Sequence, residues 1–196
     1  MAMNPYSTHQ ALLVAALAHT DGPIIEMGGG WYSTPLISSF SVASQRRALT
    51  IETGEYVFNL LNGLATDLHE VLFLPGFDFD QIGKFAPRQG RSLASYVNLQ
   101  ENFLATLSHR DLGMVSVAFV DQAPGFLRVP AIEYFADKAE YIIMHDTEHV
   151  AYYHYEPVLS TFASRWDFTL HKPQSVIVSN RHDCSVFKYL DPARST

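Results

Sequence analysis

A short apolar run, Pro23-Ile24-Ile25-Glu26, ends on an acid and passes at once into Gly28-Gly29-Gly30, after which Pro35 can sit in the first turn of a helix. That order of strand, glycine loop and helix constrains the fold more than any other stretch, because it repeats. A strand over Ala48 to Thr53, a helix from about Glu55 to Leu64 and a strand over Val71 to Leu74 follow. Strands alternating with helices predict a parallel sheet with crossover connections.

Before this unit, Ser7 and Gln10 stand at capping-box spacing, and Leu12, Leu13, Ala16 and Leu17 recur at helical spacing until Asp21-Gly22-Pro23. After it, Pro75 to Arg91 reads as a long mobile connection, and Ser92 caps a helix running to about His109. Met114 to Val120 is a nearly continuous apolar strand of the kind buried on both faces. A helix from Gly125 to Lys138, a strand from Tyr141 to Met144 and a helix around Tyr152 to Ser164, interrupted by Pro157, continue the alternation. Asp167 to His171 and Ser175 to Ser179 lie too close for a parallel crossover and predict an antiparallel hairpin. The chain is expected to be one domain over 1–196, with an N-terminal helix over 7–20, a sheet core over 24–180 and an irregular tail over 181–196.

Composition narrows the function classes. The 196 residues are 47% hydrophobic and 17% charged, enough to bury a core. Thirteen Lys and Arg against twenty Asp and Glu give a net charge of −7, which lacks the basic footprint of a nucleic-acid binder. The single Cys184 excludes an internal disulfide and points to a reducing, cytoplasmic setting. The early apolar run Ala11 to Ala18 is far short of the ~20 residues of a membrane span, and the first basic side chain is Arg46, so neither a signal peptide nor a membrane partner is expected.

Parallel sheets bind ligands beyond the carboxyl ends of their strands, which selects Glu26, Glu52, Asp121 and Asp146. Gly28 and Gly30 let backbone approach a ligand, with Ser33 and Thr34 offering hydroxyls beside them. Glu52 lies 22 residues past Gly30, near the ~20-residue offset at which an acid meets ribose hydroxyls. Taken alone, the glycine triplet also suits an ordinary tight turn, and both acids suit solvated strand ends.

From Ser7 to about Asn180 the chain resembles the class I S-adenosylmethionine-dependent methyltransferases. Ile25-Glu26-Met27-Gly28-Gly29-Gly30-Trp31-Tyr32-Ser33-Thr34 is similar to their first motif, although Trp31 and Tyr32 are bulky where many members are small. The resemblance implies a Rossmann-like α/β fold: a seven-stranded, mostly parallel sheet, helices on both faces and one reversed strand in a terminal hairpin. It also implies that Glu26, Gly28, Gly29, Gly30 and Ser33 hold the methionyl part of S-adenosylmethionine and that Glu52, with Thr53, holds its ribose. Asp78 or Asp80 would serve the adenine.

Asp121 and the segment His145-Asp146-Thr147-Glu148-His149 follow neighbouring strands. Their pairing is similar to that of metal-dependent O-methyltransferases, where such carboxylates hold a hard divalent cation that acidifies a hydroxyl. By that resemblance Asp121 and Asp146 are magnesium ligands, Asp121 also borders the cofactor, and Asp121, His145 and Asp146 form the catalytic group. His145 or His149 can alternatively take the hydroxyl proton, and either is also an ordinary structural histidine. His145-x-x-Glu148-His149 matches an inverted zinc-protease signature as well, but the strand before His145 argues against the helix that signature needs. Tyr152, Tyr153 and Tyr155 suit an acceptor pocket or a buried aromatic face.

The leading expectation is methyl transfer to a hydroxyl of a small-molecule or sugar-like acceptor. Gly28-x-Gly30-x-x-Ser33 with Glu52 also approximates a dinucleotide fingerprint, so an NAD-dependent oxidoreductase is the alternative. A non-catalytic cofactor-binding module on the same fold is the third.

Overall fold

The computed structural model describes residues 4–74, 101–108, 110, 112–123, 125–148 and 155–191. The expected loop over Pro75 to Arg91, Asp78, Asp80, His149, Tyr152 and Tyr153 lie outside these residues. Seven strands form one sheet: β1 Ile24–Met27, β2 Ala48–Glu52, β3 His69–Phe73, β4 Val115–Val120, β5 Ala139–His145, β6 Ser164–Phe168 and β7 Ser175–Ser179. Their order is β3-β2-β1-β4-β5-β7-β6. β1 to β5 pair in parallel, and only β7 runs against its neighbours on both sides. The sheet is the one the alternation predicts. The chain reverses direction across it between β1 and β4, which opens the crevice at their carboxyl ends where ligands of such sheets bind.

Side chains alternate between the two faces, and each face has its own core. On one, Ile25, Met27, Ala118, Val120, Ile142 and Met144 meet the helix over 101–108 (α4), α5 Arg128–Phe135 and α6 Tyr155–Leu159. On the other, Ile24, Val117, Phe119, Tyr141 and Ile143 meet α1 Gln10–His19 and α2 Thr34–Ser44. The period of two therefore also puts Glu26, Asp121 and His145 toward the α1 and α2 side. A short α3, Glu55–Leu61, follows β2. Among the described residues no helix is long and apolar enough to cross a membrane.

Three local expectations change. The Ser7 capping box does not form: Asn4 caps a 3-10 turn over Pro5–Ser7, α1 starts at Gln10 with His9 at its N-cap, and the Gln10 amide donates to Tyr32 O instead. The strand expected over Asp167 to His171 is shifted to Ser164–Phe168, because Phe168 pairs with Ser175 and leaves 169–174 as the connection. The described part of the tail is not irregular: Asp183 caps a 3-10 helix over Cys184–Leu190, whose Cys184 and Phe187 are buried against the α1 core.

One arginine ties the lower half together. Arg46 is buried and donates to Gly22 O, Leu17 O, Thr20 O, Thr20 Oγ1 and Ser116 Oγ. The guanidinium caps the carboxyl end of α1, where a cation and a fork of donors suit the unpaired carbonyls.

Candidate functional site

Glu26 Oε2 accepts hydrogen bonds from Thr34 Oγ1 and Thr50 Oγ1, each at 2.7 Å. Thr34 in turn accepts from Gly30 N at 2.9 Å, so the carboxylate steadies the glycine loop through the first residue of α2. Since the Thr50 proton goes to Glu26, His69 Nε2, 2.8 Å from Thr50 Oγ1, is the donor to it. Glu26 is fully buried, and its Oε1 has no hydrogen-bond partner among the described residues. Burial pushes its pKa from 4.5 up to about 7, against the pull of the Ser33, Thr50 and Thr34 hydroxyls and with the Glu52 charge adding to the rise. The acid expected to touch a ligand acts here from beneath the loop.

Glu52 stands at the end of β2 and is gripped by backbone. Oε2 accepts from Gly29 N at 2.8 Å, while Oε1 accepts from Thr53 N at 2.8 Å and Gly54 N at 2.6 Å. Two acceptor positions are thus filled on Oε1, and one remains on Oε2. Burial raises its pKa against those three N–H bonds. Thr53 Oγ1 donates to Ala123 O, joining the loops after β2 and β4. Gly28 has φ +88, and a Cβ there would come 2.4 Å from Gln122 Cα, so only glycine lets the β1 and β4 loops meet. Ser33 is buried at the N-cap of α2.

Asp121, His145 and Asp146 also converge, around an arginine that carries no sequence motif. Arg128, in the first turn of α5, lies 2.8 Å from Asp121 Oδ1 and 3.4 Å from Asp146 Oδ2. It further donates to Gln122 O, Asp121 O, His145 O and Tyr155 Oη. Asp146 has φ +60, a left-handed conformation that aspartate tolerates and that turns its carboxylate back to the guanidinium. Burial would raise the Asp121 pKa, but the Arg128 charge and the His145 hydrogen bond outweigh it and hold the carboxyl below its ordinary value.

His145 Nδ1 lies 3.3 Å from Asp121 Oδ2 and 3.6 Å from Asp146 Oδ1. Its Nε2 lies 2.9 Å from Thr8 Oγ1, whose own proton goes to Pro173 O at 2.6 Å. Burial lowers the His145 pKa, yet the Asp121 hydrogen bond and the charges of Asp121 and Asp146 prevail and raise it. Because the Thr8 proton goes to Pro173 O, Nε2 is the donor to Thr8, and Nδ1 is the nitrogen that faces the two carboxylates. Arg128 engages one oxygen of each expected magnesium ligand, Asp121 Oδ1 and Asp146 Oδ2, and leaves Asp121 Oδ2 and Asp146 Oδ1 turned to His145.

His9 entered no expectation. It is buried with neither ring nitrogen partnered among the described residues, 4.7 Å centroid to centroid from His145 and 4.8 Å from Phe119. Burial, and next the His145 charge, lower its pKa to about 4 in spite of Asp121, so the ring is neutral near pH 7. A histidine ahead of a helix carries no sequence signal that would have found it.

No family model matches the chain, and no curated protein matches it. Solved structures do. Cofactor-bound Rv0187 from MTB is 14% identical over 93% of this chain and 83% of that one, with a TM-score of 0.59. SAH-bound Podospora anserina methyltransferase PaMTH1 is 11% identical over 90% of this chain and 79% of that one, also at 0.59. The O-methyltransferase from Bacillus cereus in complex with SAH is 13% identical over 90% and 82%, at 0.55. This chain has the class I methyltransferase fold. In that fold the glycine loop, Glu52 and the Asp121 cluster all lie at the carboxyl ends of β1, β2, β4 and β5, the side of the sheet on which ligands bind.

Proposed function

We propose that this protein is an S-adenosylmethionine-dependent methyltransferase that methylates a hydroxyl of a small-molecule or sugar-like acceptor. The observation that carries the reading is the direct bond between its two expected cofactor elements, Gly29 N to Glu52 Oε2 at 2.8 Å, at the crevice between β1 and β4. A ribose hydroxyl has one acceptor position open on Oε2, and a second becomes available if Gly29 N–H turns to the ligand. Glu26 serves as a positioning residue, setting Gly30 through Thr34. Two solved structures that share the fold hold SAH.

When bound, the cofactor supplies a methyl group already activated on a sulfonium, which leaves the chain to align the acceptor and exclude water. Asp121 is suited to the first task. Its carboxyl is held ionised and its side chain is 25% exposed, so it can accept a hydrogen bond from the acceptor hydroxyl. Magnesium is not part of this reading: it takes oxygen ligands, and the carboxylate oxygens that Arg128 leaves free face the His145 nitrogen. The buried, unpaired Cys184 accords with a cytoplasmic setting.

Calorimetric titration with S-adenosylmethionine, S-adenosylhomocysteine and NAD tests the proposal. Both adenosyl ligands are expected to bind, with affinity reduced about tenfold or more in Glu52→Ala, as suits the loss of a charge-assisted hydrogen bond. Binding of NAD in their place would replace this reading with the oxidoreductase.

A further inference from the structure

His9 is the one buried imidazole among the described residues in which both nitrogens lack a partner. An unmade hydrogen bond on a buried polar group is costly, so such groups usually face something that completes them. What His9 faces is His145 and Asp121. One ligand atom from each of the three residues lies within 4.8 Å of the other two.

The hydrogen-bond directions around His145 sharpen the point. Thr8 has one hydroxyl proton, and both Pro173 O at 2.6 Å and Pro5 O at 3.3 Å only accept, so Thr8 must receive a bond from His145 Nε2–H. That leaves Nδ1 as the nitrogen facing Asp121 Oδ2 at 3.3 Å. Two lone pairs do not meet at that distance unless a proton or a metal ion lies between them. The outer contacts are those of a metal centre: a hydroxyl holds the far nitrogen of the histidine, and Arg128 holds Asp121 Oδ1 at 2.8 Å while Oδ2 stays turned to the imidazoles.

We propose that His9, His145 and Asp121 form a three-ligand site for a divalent transition metal of the zinc type, reached from solvent past the partly exposed Asp121. Two imidazoles and one carboxylate suit Zn2+ or Co2+ and not magnesium. Bonds of about 2.0–2.2 Å bring tetrahedral ligands to roughly 3.3 Å from one another, so the three atoms draw together by up to about 1.5 Å on binding. Asp146 remains on Arg128, and the fourth position belongs to water or an acceptor oxygen. Metal uptake is read without turnover, so the site stands or falls apart from the methyl-transfer reading.

The test is titration of the chelator-stripped protein with Co2+, followed by visible absorption, with Zn2+ and Mg2+ as competitors. The expected result is one Co2+ per chain with the intense visible bands of a four-coordinate ion, displaced by Zn2+ and not by millimolar Mg2+. His9→Phe keeps a ring of similar shape and removes both nitrogens, and it should weaken binding at least tenfold, as should Asp121→Asn. Wild-type protein that takes up no Co2+, or folded His9→Phe that binds as tightly as wild type, overturns the proposal. Should His9→Phe not fold, side-chain nitrogen resonances of the wild type decide: coordination shifts at two histidines on adding Zn2+ support the site, and none at all refutes it.

Discussion

Replacing Glu26 by Gln tests the link between burial and charge beneath the glycine loop. The Glu26 pKa is raised from 4.5 in the unfolded chain to about 7 in the folded one, chiefly by burial. Below pH 4.5 both states are protonated and nothing is lost. As pH rises toward 7 the unfolded chain ionises first, so stability falls, and above 7 the loss is constant. Over pH 5 to pH 8 this amounts to a decline on the order of 2–3 kcal/mol from this one residue. Gln keeps an acceptor for Thr34 and Thr50 but puts an unpaired amide donor where Oε1 has no partner, a cost that does not vary with pH. His9 works in the opposite direction, with a pKa lowered to about 4 and stability lost as pH falls, but it is present in both proteins and cancels. Urea unfolding of both proteins at pH 5 and pH 8 therefore gives a double difference on the order of 2–3 kcal/mol, with Gln losing less stability on going to pH 8. A double difference under ~0.5 kcal/mol would refute the reasoning, since it would mean that Glu26 ionises in the fold as easily as in water.

Other substitutions probe the remaining contacts. Gly28→Ala places a Cβ 2.4 Å from Gln122 Cα at φ +88, and should cost several kcal/mol and loosen the β1–β4 crevice, seen as a lowered urea midpoint together with weakened S-adenosylhomocysteine binding. Arg46→Met removes five hydrogen bonds at the end of α1 and should lower the melting temperature by on the order of 10 °C in a calorimetric scan, without a specific effect on ligand affinity. Arg128→Met leaves Asp121 without the guanidinium that holds its carboxyl below the ordinary value, and should destabilise by about 3 kcal/mol at pH 7 and less at pH 4, where Asp121 takes up a proton more readily; equal losses at both pH values would argue against the ion-pair account.

How far the sequence reaches into this structure depends on the range of the interaction. The presence of the strands, their parallel run and the reversed pair at the end follow from apolar runs closed by acids and from the short spacing of the last two strands, both local patterns, and the sheet obeys them. Glu26, Gly28, Glu52, Asp121 and Asp146 were legible for the same reason: the end of a strand in a parallel sheet is a place defined by neighbours in the chain. What the pattern does not contain is the partner that decides each residue's chemistry. Arg128 sits in a helix where arginine is unremarkable, yet it holds one oxygen of each of two expected metal ligands in an ion-pair cluster. Arg46 and His9 act across 24 to 137 positions of sequence, through Gly22, Ser116, Phe119 and the Thr8–His145 bond beside them. The 3-10 helix after Asp183 is different in kind. Its cap and its buried Cys184 and Phe187, three residues apart, are local signals of the sort that identify α1, and they mark the tail as a packed part of the domain. Function divides along the same line: the strand ends locate the crevice, while the charged and nitrogen-bearing side chains that reach it from α5 and from ahead of α1 determine whether it holds a proton, a metal or an acceptor.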